Sequence, residues 1–251
     1  MTLHRFYLPP AQWNPDHLAL DEAESHHCTD VLRLKEGNRV AVFNGQGTEV
    51  TAEISFLSKR EVGLRALFSH STPRPAAAIT LAQAVPKGKN MDLVIQKATE
   101  LGAAEIVPLI SERTVVRVDA DDAADKQEKW QRIAVEACKQ CGQNHLPRVQ
   151  RPVSLDRFFA QPPGQDLLII AAIEPGARRM KDLLAEWGAL HPGRTKPASV
   201  LVLIGPEGDF TPAEVGLAKS RGCLPMSLGP IILRTETAAI YSLSTLAHEL
   251  F

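Results

Sequence analysis

The chain is short of several things, and each shortage closes off a class of protein. Four cysteines in 251 residues are too few to build a disulfide scaffold, so the setting reads as cytoplasmic. Aromatic residues make up 5%, which speaks against the base-stacking platforms of single-strand binders. Neither sign of charge is in surplus: 28 Lys and Arg face 29 Asp and Glu, a net charge of −1, unlike a protein that coats nucleic acid by charge alone. The longest apolar run, Leu167 to Ile173, falls far short of the ~20 residues a membrane helix needs, so no membrane partner is expected. The start, MTLHRFYLPPAQW, has no apolar stretch behind a basic end and does not read as a secretory signal. Repeats and low-complexity tracts are missing too. What is present, 44% hydrophobic and 23% charged residues, is the balance of a globular chain with one large core or two smaller ones.

The pattern changes near residue 70. Before it, Val40 and Val42, then Val50, Ala52, Ile54 and Phe56, alternate with polar neighbours at the strand period, and a third such run covers Glu61 to Phe68. Asn44-Gly45 between the first two predicts a tight hairpin. These signals predict a small β-rich N-terminal domain, a compact barrel, followed by a proline-rich linker within Ser69–Ala78. From Ile79 onward, apolar runs at Ile79–Ala84, Ile106–Ile110, Leu167–Ile173, Val200–Ile204 and Leu224–Leu228 alternate with helical patterns. Asn90 is placed to cap a helix bearing Met91, Val94, Ile95, Ala98 and Leu101, with Gly102 as its stop. A second helix carries Trp130 to Cys141 and ends at Gly142; a third starts with the capping box Thr211-Pro212-Ala213-Glu214. A last one presents Ile240, Leu243, Ala247 and Leu250. Alternating strands and helices predict a parallel sheet covered on both faces, open and doubly wound, with ligands beyond the carboxyl ends of the strands.

Two loops fall at that edge. Gly205-Pro206-Glu207-Gly208-Asp209 follows a predicted strand; it reads either as a turn that lets backbone approach a ligand or as a connection that simply needs glycine. It is neither G-x-G-x-x-G nor G-x-x-x-x-G-K, Gly88-Lys89 lacks the earlier glycine, and Gly45-Gln46-Gly47 sits in the β-rich part, so NAD and ATP are unsupported. Ser227 to Ala238 has an apolar centre suited to wall a flat ligand, with Thr235 and Glu236 at a helix start. Beside that wall, Arg234 suits an anion or developing charge, or is a plain surface arginine. Cys138-x-x-Cys141 with His145 has metal-like spacing, but both thiols continue the apolar stripe from Trp130 and read as core; neither they nor His26-His27 make a metal site, and none is expected. From residue 129 to 151, Lys129, Arg132, Lys139, Arg148 and Arg151 meet one acid, Glu136, and Gln140, Gln143, Asn144 and His145 add hydrogen-bonding groups. That stretch follows a phosphate backbone or is a solvated helix face; Lys87, Lys89 and Arg113, near strand ends, would extend it. Residues 1–72, by contrast, hold seven basic and nine acidic residues, so the neutral total hides a local basic patch.

The pair IGPEG (Ile204–Gly208) and LGPIILRTETA (Leu228–Ala238) resembles the signature of the RsmE family of 16S ribosomal RNA (uracil-N3)-methyltransferases, of the SPOUT class. Agreement extends through His4-Arg5-Phe6, His27…Leu32-Arg33…Gly37, Asp92…Lys97-Ala98-Thr99-Glu100-Leu101-Gly102 and Trp130…Glu136-Ala137, across nearly the whole chain. The resemblance implies an α/β protein: a PUA-like β-barrel for RNA over residues 1–72, a linker at 73–78, and a SPOUT domain with a deep trefoil knot over 79–251. It implies a homodimer that uses S-adenosylmethionine to methylate N3 of a uridine in 16S ribosomal RNA of the small subunit. The cofactor would meet Ile173, Glu174, Leu203, Ile204, Gly205, Pro206, Glu207, Gly208, Leu228, Gly229, Ile232, Leu233, Thr237 and Ala238, with Arg234 catalytic and Glu207 or Glu236 open as a base. RNA would meet Arg5, Arg33, Lys87, Lys89, Arg113, Lys129, Gln140, Asn144 and Arg148. The chain departs from the pattern at Asp209, where glycine is common, at Pro230-Ile231, where a basic residue is frequent, and at Cys138 and Cys141. Two other readings stay beside this one: methylation of another RNA atom such as a ribose 2′-OH, and a non-catalytic RNA-binding protein.

Overall fold

Period-two alternation in the first seventy residues becomes five strands in the computed structural model, which describes residues 3–58, 60–116 and 120–251. The chain divides into two units, Met1–Arg74 with Val135–Leu146, and Pro75–Ala134 with Pro147–Phe251. The first unit holds β1 (His4–Tyr7), β2 (Leu18–Leu20), a short α1 (Glu22–His26), β3 (Arg39–Phe43), β4 (Thr48–Leu57) and β5 (Val62–Ser71). Their sheet order is β1-β3-β4-β5-β2, with β1 parallel to β3 and the other pairs antiparallel. Where the pattern suggests a compact barrel, the described strands form a path whose end strands, β1 and β2, do not pair. Phe6, Val40, Val42, Val50, Ala52 and Ile54 close its core from one face. Asn44 holds the β3–β4 turn by accepting the Gln46 and Thr48 amides at 2.8 and 3.1 Å. Ser69–Ser71, expected in the linker, continue β5, because Ser71 pairs with Thr48 and Ser69 with Val50; ladder bonds there outweigh the lost apolar alternation.

The second unit holds β6 (Ala78–Ala84), α2 (Asn90–Glu100), β7 (Glu105–Ile110), α3 (Ala120–Cys141), β8 (Arg148–Val149), β9 (Val153–Ser154), α4 (Leu155–Phe158), β10 (Leu167–Ala171), α5 (Met180–Leu190), β11 (Ser199–Ile204), α6 (Pro212–Ser220), β12 (Leu224–Met226) and α7 (Thr235–Leu250), the last turns of α3 falling in the first unit. Its seven strands run β12-β10-β11-β6-β7-β8, with β9 beside β7, and every pairing is parallel. The strands are continuously apolar because both faces are covered. Ala82, Val107, Leu109, Ile170, Leu201 and Leu203 pack against Leu155, Phe159, Phe210 and Val215 on one face. The alternate residues Ile79, Leu81, Ile106, Ile169, Val200 and Val202 are fully buried as well. Each such side chain contributes about 1.5–3 kcal/mol by leaving water.

Helix boundaries mostly follow the local chemistry. Thr211 and Glu214 form the capping box of α6, with Glu214 accepting the Thr211 amide at 2.8 Å. Gly102 ends α2 with φ +79°, the left-handed region glycine reaches without strain. Asn90, expected as a cap, is instead the first residue of α2; Lys89 is the cap residue and makes no side-chain cap bond. The stripe on α7 is also turned: Ala239, Ser242, Leu243, Leu246 and Leu250 are buried, while Ile240 and Ala247 are half-buried. A small-residue face packs against its neighbours there, which an apolar stripe does not foretell. α5 went unforeseen, as its cap residue, Arg179, makes no side-chain cap bond. Leu109, fully buried at the end of β7, should cost about 2–5 kcal/mol of stability when cut to alanine, measured by denaturant unfolding.

Candidate active site

Three loops leave the sheet side by side. β10 lies between β12 and β11, so the segments after all three strands meet at the carboxyl edge. There they enclose a cavity of about 640 Å³, within the usual range for a small-molecule site. The first wall runs from Ala171 to Glu174 and includes Ala177; the second from Ile204 to Glu207 with Asp209; the third from Met226 to Glu236 with Ala238, and Asn90 completes the lining.

Each wall is held by bonds that the local sequence explains. Gly205 admits no side chain cheaply, since a Cβ would lie 3.0 Å from Asp209 Oδ1 and 3.2 Å from the Phe210 nitrogen. Gly229 takes φ +116° in the third loop. Asp209 takes φ +61°, which accounts for its standing where glycine is common: aspartate tolerates the left-handed region, and its carboxylate accepts the Phe210 amide at 2.8 Å. Glu207 accepts the Lys87 amide at 2.8 Å, and Lys219 anchors Glu174 at 2.9 Å. Arg113 donates to the Gly208 carbonyl at 2.7 Å and bolts the second loop from outside. Thr235, expected only to start a helix, donates its hydroxyl to the Gly205 carbonyl at 2.6 Å and accepts from Gln83 Nε2 at 2.9 Å.

The electrostatics are lopsided. Glu174, Glu207, Asp209 and Glu236 line the cavity against a single arginine, Arg234. Arg234 is exposed at the start of α7, and its guanidinium makes no bond to the described residues. Apolar surface is also exposed at the mouth, with Ile173 73%, Ile231 70% and Ile232 84% accessible. The cavity thus combines apolar walls, negative charge and one free cation, suited to a flat, positively charged ligand.

Of the expected cofactor residues, the cavity gathers those of Ile173–Glu174, Ile204–Glu207, Leu228–Gly229, Ile232–Leu233 and Ala238. Leu203 lies in the sheet core instead, Gly208 faces Arg113, and Thr237 is exposed on α7 outside the lining. Asn90, Ala177 and Asp209 are among the lining residues outside the expected cofactor set, and Gln83 lies behind the lining. A glutamine inside an otherwise apolar strand was the one available signal for Gln83.

The expected RNA residues divide by what they already hold. Arg33, Lys87, Lys89, Gln140 and Arg148 are exposed, with side chains free of bonds to the described residues. Arg5 is spent inside the first unit: it pairs with Glu49, donates to Asn144 Oδ1 at 2.7 Å and lies 4.8 Å over the Phe43 ring. Asn144, 5% exposed, also donates to Thr72. Lys129 pairs with Asp92 at 2.7 Å, and Arg113 serves Gly208. Lys139 is half-buried beside Glu24 at 2.9 Å; burial raises the Glu24 carboxyl above its ordinary range more than Lys139 lowers it. Cys138 is buried and its thiol pushed up to about 12, chiefly by burial, whereas Cys141, expected in the core, is exposed one turn on. Among the described residues, no cluster of three or more His, Cys, Asp or Glu could hold a metal ion, and no helix is long and apolar enough to cross a membrane.

A parallel α/β sheet with a walled pocket at its carboxyl edge, joined to a β-rich unit, is the plan of an RNA methyltransferase, and comparison with known proteins bears this out. The family described as RNA methyltransferase domain matches residues 72–247, and that described as RNA methyltransferase PUA domain matches residues 20–66. The chain is 32% identical to ribosomal RNA small subunit methyltransferase E of Bacillus subtilis, over 90% of this chain and 88% of that protein. It is 32% identical to the enzyme of that name from Aquifex aeolicus, over 98% of this chain and all of that one (100%). Among solved structures, a methyltransferase of Legionella pneumophila in complex with its cofactor SAM superposes with a TM-score of 0.87 at 37% identity, covering 99% of this chain and 98% of that one. A ribosomal RNA small subunit methyltransferase E from Neisseria gonorrhoeae bound to S-adenosyl methionine gives 0.84 at 29% identity, covering 98% and 97%. The chain is an RNA methyltransferase. It belongs to the family of ribosomal RNA small subunit methyltransferase E.

Proposed function

We propose that this chain methylates N3 of one uridine in 16S ribosomal RNA of the small subunit, with S-adenosylmethionine as donor. The observation that carries the reading is the cavity itself: four carboxylates and apolar walls, with Arg234 free beside them. These residues fit the donor. Ile204, Leu228 and Leu233 offer apolar surface to an adenine ring, the carboxylates complement a sulfonium and an ammonium group, and the volume is ample for both. Bound there, S-adenosylmethionine supplies an electrophilic methyl group.

The chain's own work is positioning and charge. Attack by N3 must be in line, so the three walls contribute chiefly by fixing orientation. N3 must lose its proton before or as it takes the methyl group, whose bond to the donor's sulfonium would break to leave a neutral thioether. On deprotonation, negative charge spreads to the flanking carbonyl oxygens. Arg234 is the cation placed to hold that charge. Glu207 and Glu236, both in the lining, are the carboxylates within the cavity that would accept the proton. RNA is held through the unengaged Arg33, Lys87, Lys89, Gln140 and Arg148, with residues 1–72 as the PUA-like RNA-binding domain, 73–78 as linker and 79–251 as the catalytic domain. In this reading, which for the knot rests on the family resemblance, the loops after β10, β11 and β12 form a deep trefoil knot. A homodimer is supported by Leu93 and Tyr241, exposed apolar side chains on α2 and α7; light scattering that returned a monomer mass would refute it. Acting on ribosomal RNA is consistent with a cytoplasmic site.

Two measurements test the reaction. Ribosomal RNA from cells lacking this chain should lose 3-methyluridine on nucleoside mass spectrometry; its persistence overturns the reading, and loss of a 2′-O-methyl nucleoside instead would point to the ribose. Arg234→Ala should lower kcat by about 10²–10³ while cofactor affinity changes little. Near-normal turnover would remove Arg234 from the mechanism.

A further inference from the structure

Behind the cavity, one hydroxyl ties two of its walls together. Thr235 Oγ1 donates to the Gly205 carbonyl at 2.6 Å, which joins the loop after β11 to the loop before α7. The same oxygen accepts from Gln83 Nε2 at 2.9 Å, and that amide also donates to the Ala84 carbonyl at 2.8 Å. Gln83 is 0% and Thr235 4% exposed, so these bonds exchange with no solvent. Each group has its protons assigned by its partners: Gly205 and Ala84 accept only, so the hydroxyl and the amide must donate to them.

Two details separate this relay from ordinary packing. Thr235 is at the first position of α7, but its hydroxyl caps nothing; the cap residue, Arg234, makes no side-chain cap bond. And Gln83 interrupts a strand that is otherwise almost wholly apolar, at the cost of leaving its Oε1 buried without a partner. A leucine there would fill the space without that penalty. The fold accepts a locally unfavourable residue at a position from which its amide reaches Thr235.

We infer that Gln83 and Thr235 are positioning residues: the relay Gln83–Thr235–Gly205 fixes the separation of two cofactor walls and the direction in which Arg234, next in the chain to Thr235, leaves them. The inference rests on the S-adenosylmethionine reading of this cavity. Neither residue belongs to the expected cofactor or catalytic set, and neither exchanges a proton with substrate in this role.

The test is a calorimetric titration with S-adenosylmethionine of wild type, Thr235→Val, Thr235→Ser, Gln83→Leu and Leu109→Ala, with Tm recorded for each. Thr235→Val keeps the shape and loses the hydroxyl, and should bind about tenfold more weakly; Thr235→Ser keeps the hydroxyl and should stay within about threefold of wild type. Gln83→Leu should lose affinity as Thr235→Val does, with Tm unchanged or raised. Leu109→Ala should lower Tm and leave affinity alone. Wild-type affinity in both Thr235→Val and Gln83→Leu overturns the relay, as does an equal loss in Leu109→Ala or in Thr235→Ser, which would mark a general loosening. Absence of binding heat in wild type overturns the cofactor reading itself and the relay's role with it. Should Leu109→Ala not fold, the Val and Ser pair at Thr235 still decides the matter.

Discussion

Parallel pairing of β10 with both β11 and β12 is the constraint from which the site follows. A parallel pair needs a crossover connection, and here the connections are α5 and α6, which lie on the faces of the sheet and bury them. With both faces covered, the carboxyl edge is where backbone can be presented to a ligand. Register sharpens this. Ile170 pairs with Leu203, and Ala171 with Met226, so the three strands end almost level. Segments far apart in the chain therefore leave the sheet at one place, where the bonds of Thr235, Glu207, Lys219 and Asp209 hold the cavity walls.

Charge is divided between cavity and surface in a way the net value hides. The cavity collects four carboxylates and one arginine. An interior of that sign favours a cationic ligand and disfavours a phosphate. Outside the cavity, several basic residues are already neutralised within the fold: Arg5 by Glu49, Lys139 by Glu24, Lys129 by Asp92. Fewer free cations remain than a count along residues 129–151 suggests. In general, fewer phosphate contacts mean a weaker salt dependence than a coat of lysines would give.

Much of this was legible before any coordinates. Strand runs such as Ile79–Ala84 and Val200–Ile204 appear within a residue or so of their extent, because a strand buried on both faces must be apolar throughout. The Thr211 capping box and the glycine stops were legible because those residues act through their own backbone. Arg5 and Asn144 show the limit. Both are polar, and nothing local says that they bond each other across 139 positions. Cys141 shows another: it continues the stripe of Cys138 in sequence, but at the last residue of α3 the helix no longer covers it. Gln83 stands out as a polar residue in an apolar run, but the bond that explains it spans 152 positions and no periodicity encodes it.

Local cost marks the same places. Among the described residues, two that are not glycine take positive φ, Arg33 at +53° and Asp209 at +61°. Each such conformation costs of the order of 1 kcal/mol for a residue with a side chain, and persists only where surroundings enforce it. Asp209 recovers part of that cost through the Phe210 amide, and its carboxylate also lies 3.5 Å from the Ile173 amide in the neighbouring wall. Glycine would adopt the same turn without strain but would lose both bonds and the negative charge it lends the cavity. The aspartate thus exchanges conformational ease for a link between two walls, which is what Thr235 does between Gly205 and its own loop. Two walls tied by a carboxylate and two by a hydroxyl hold the cavity's shape by bonds internal to the fold, and such preorganisation lowers what binding must spend on ordering.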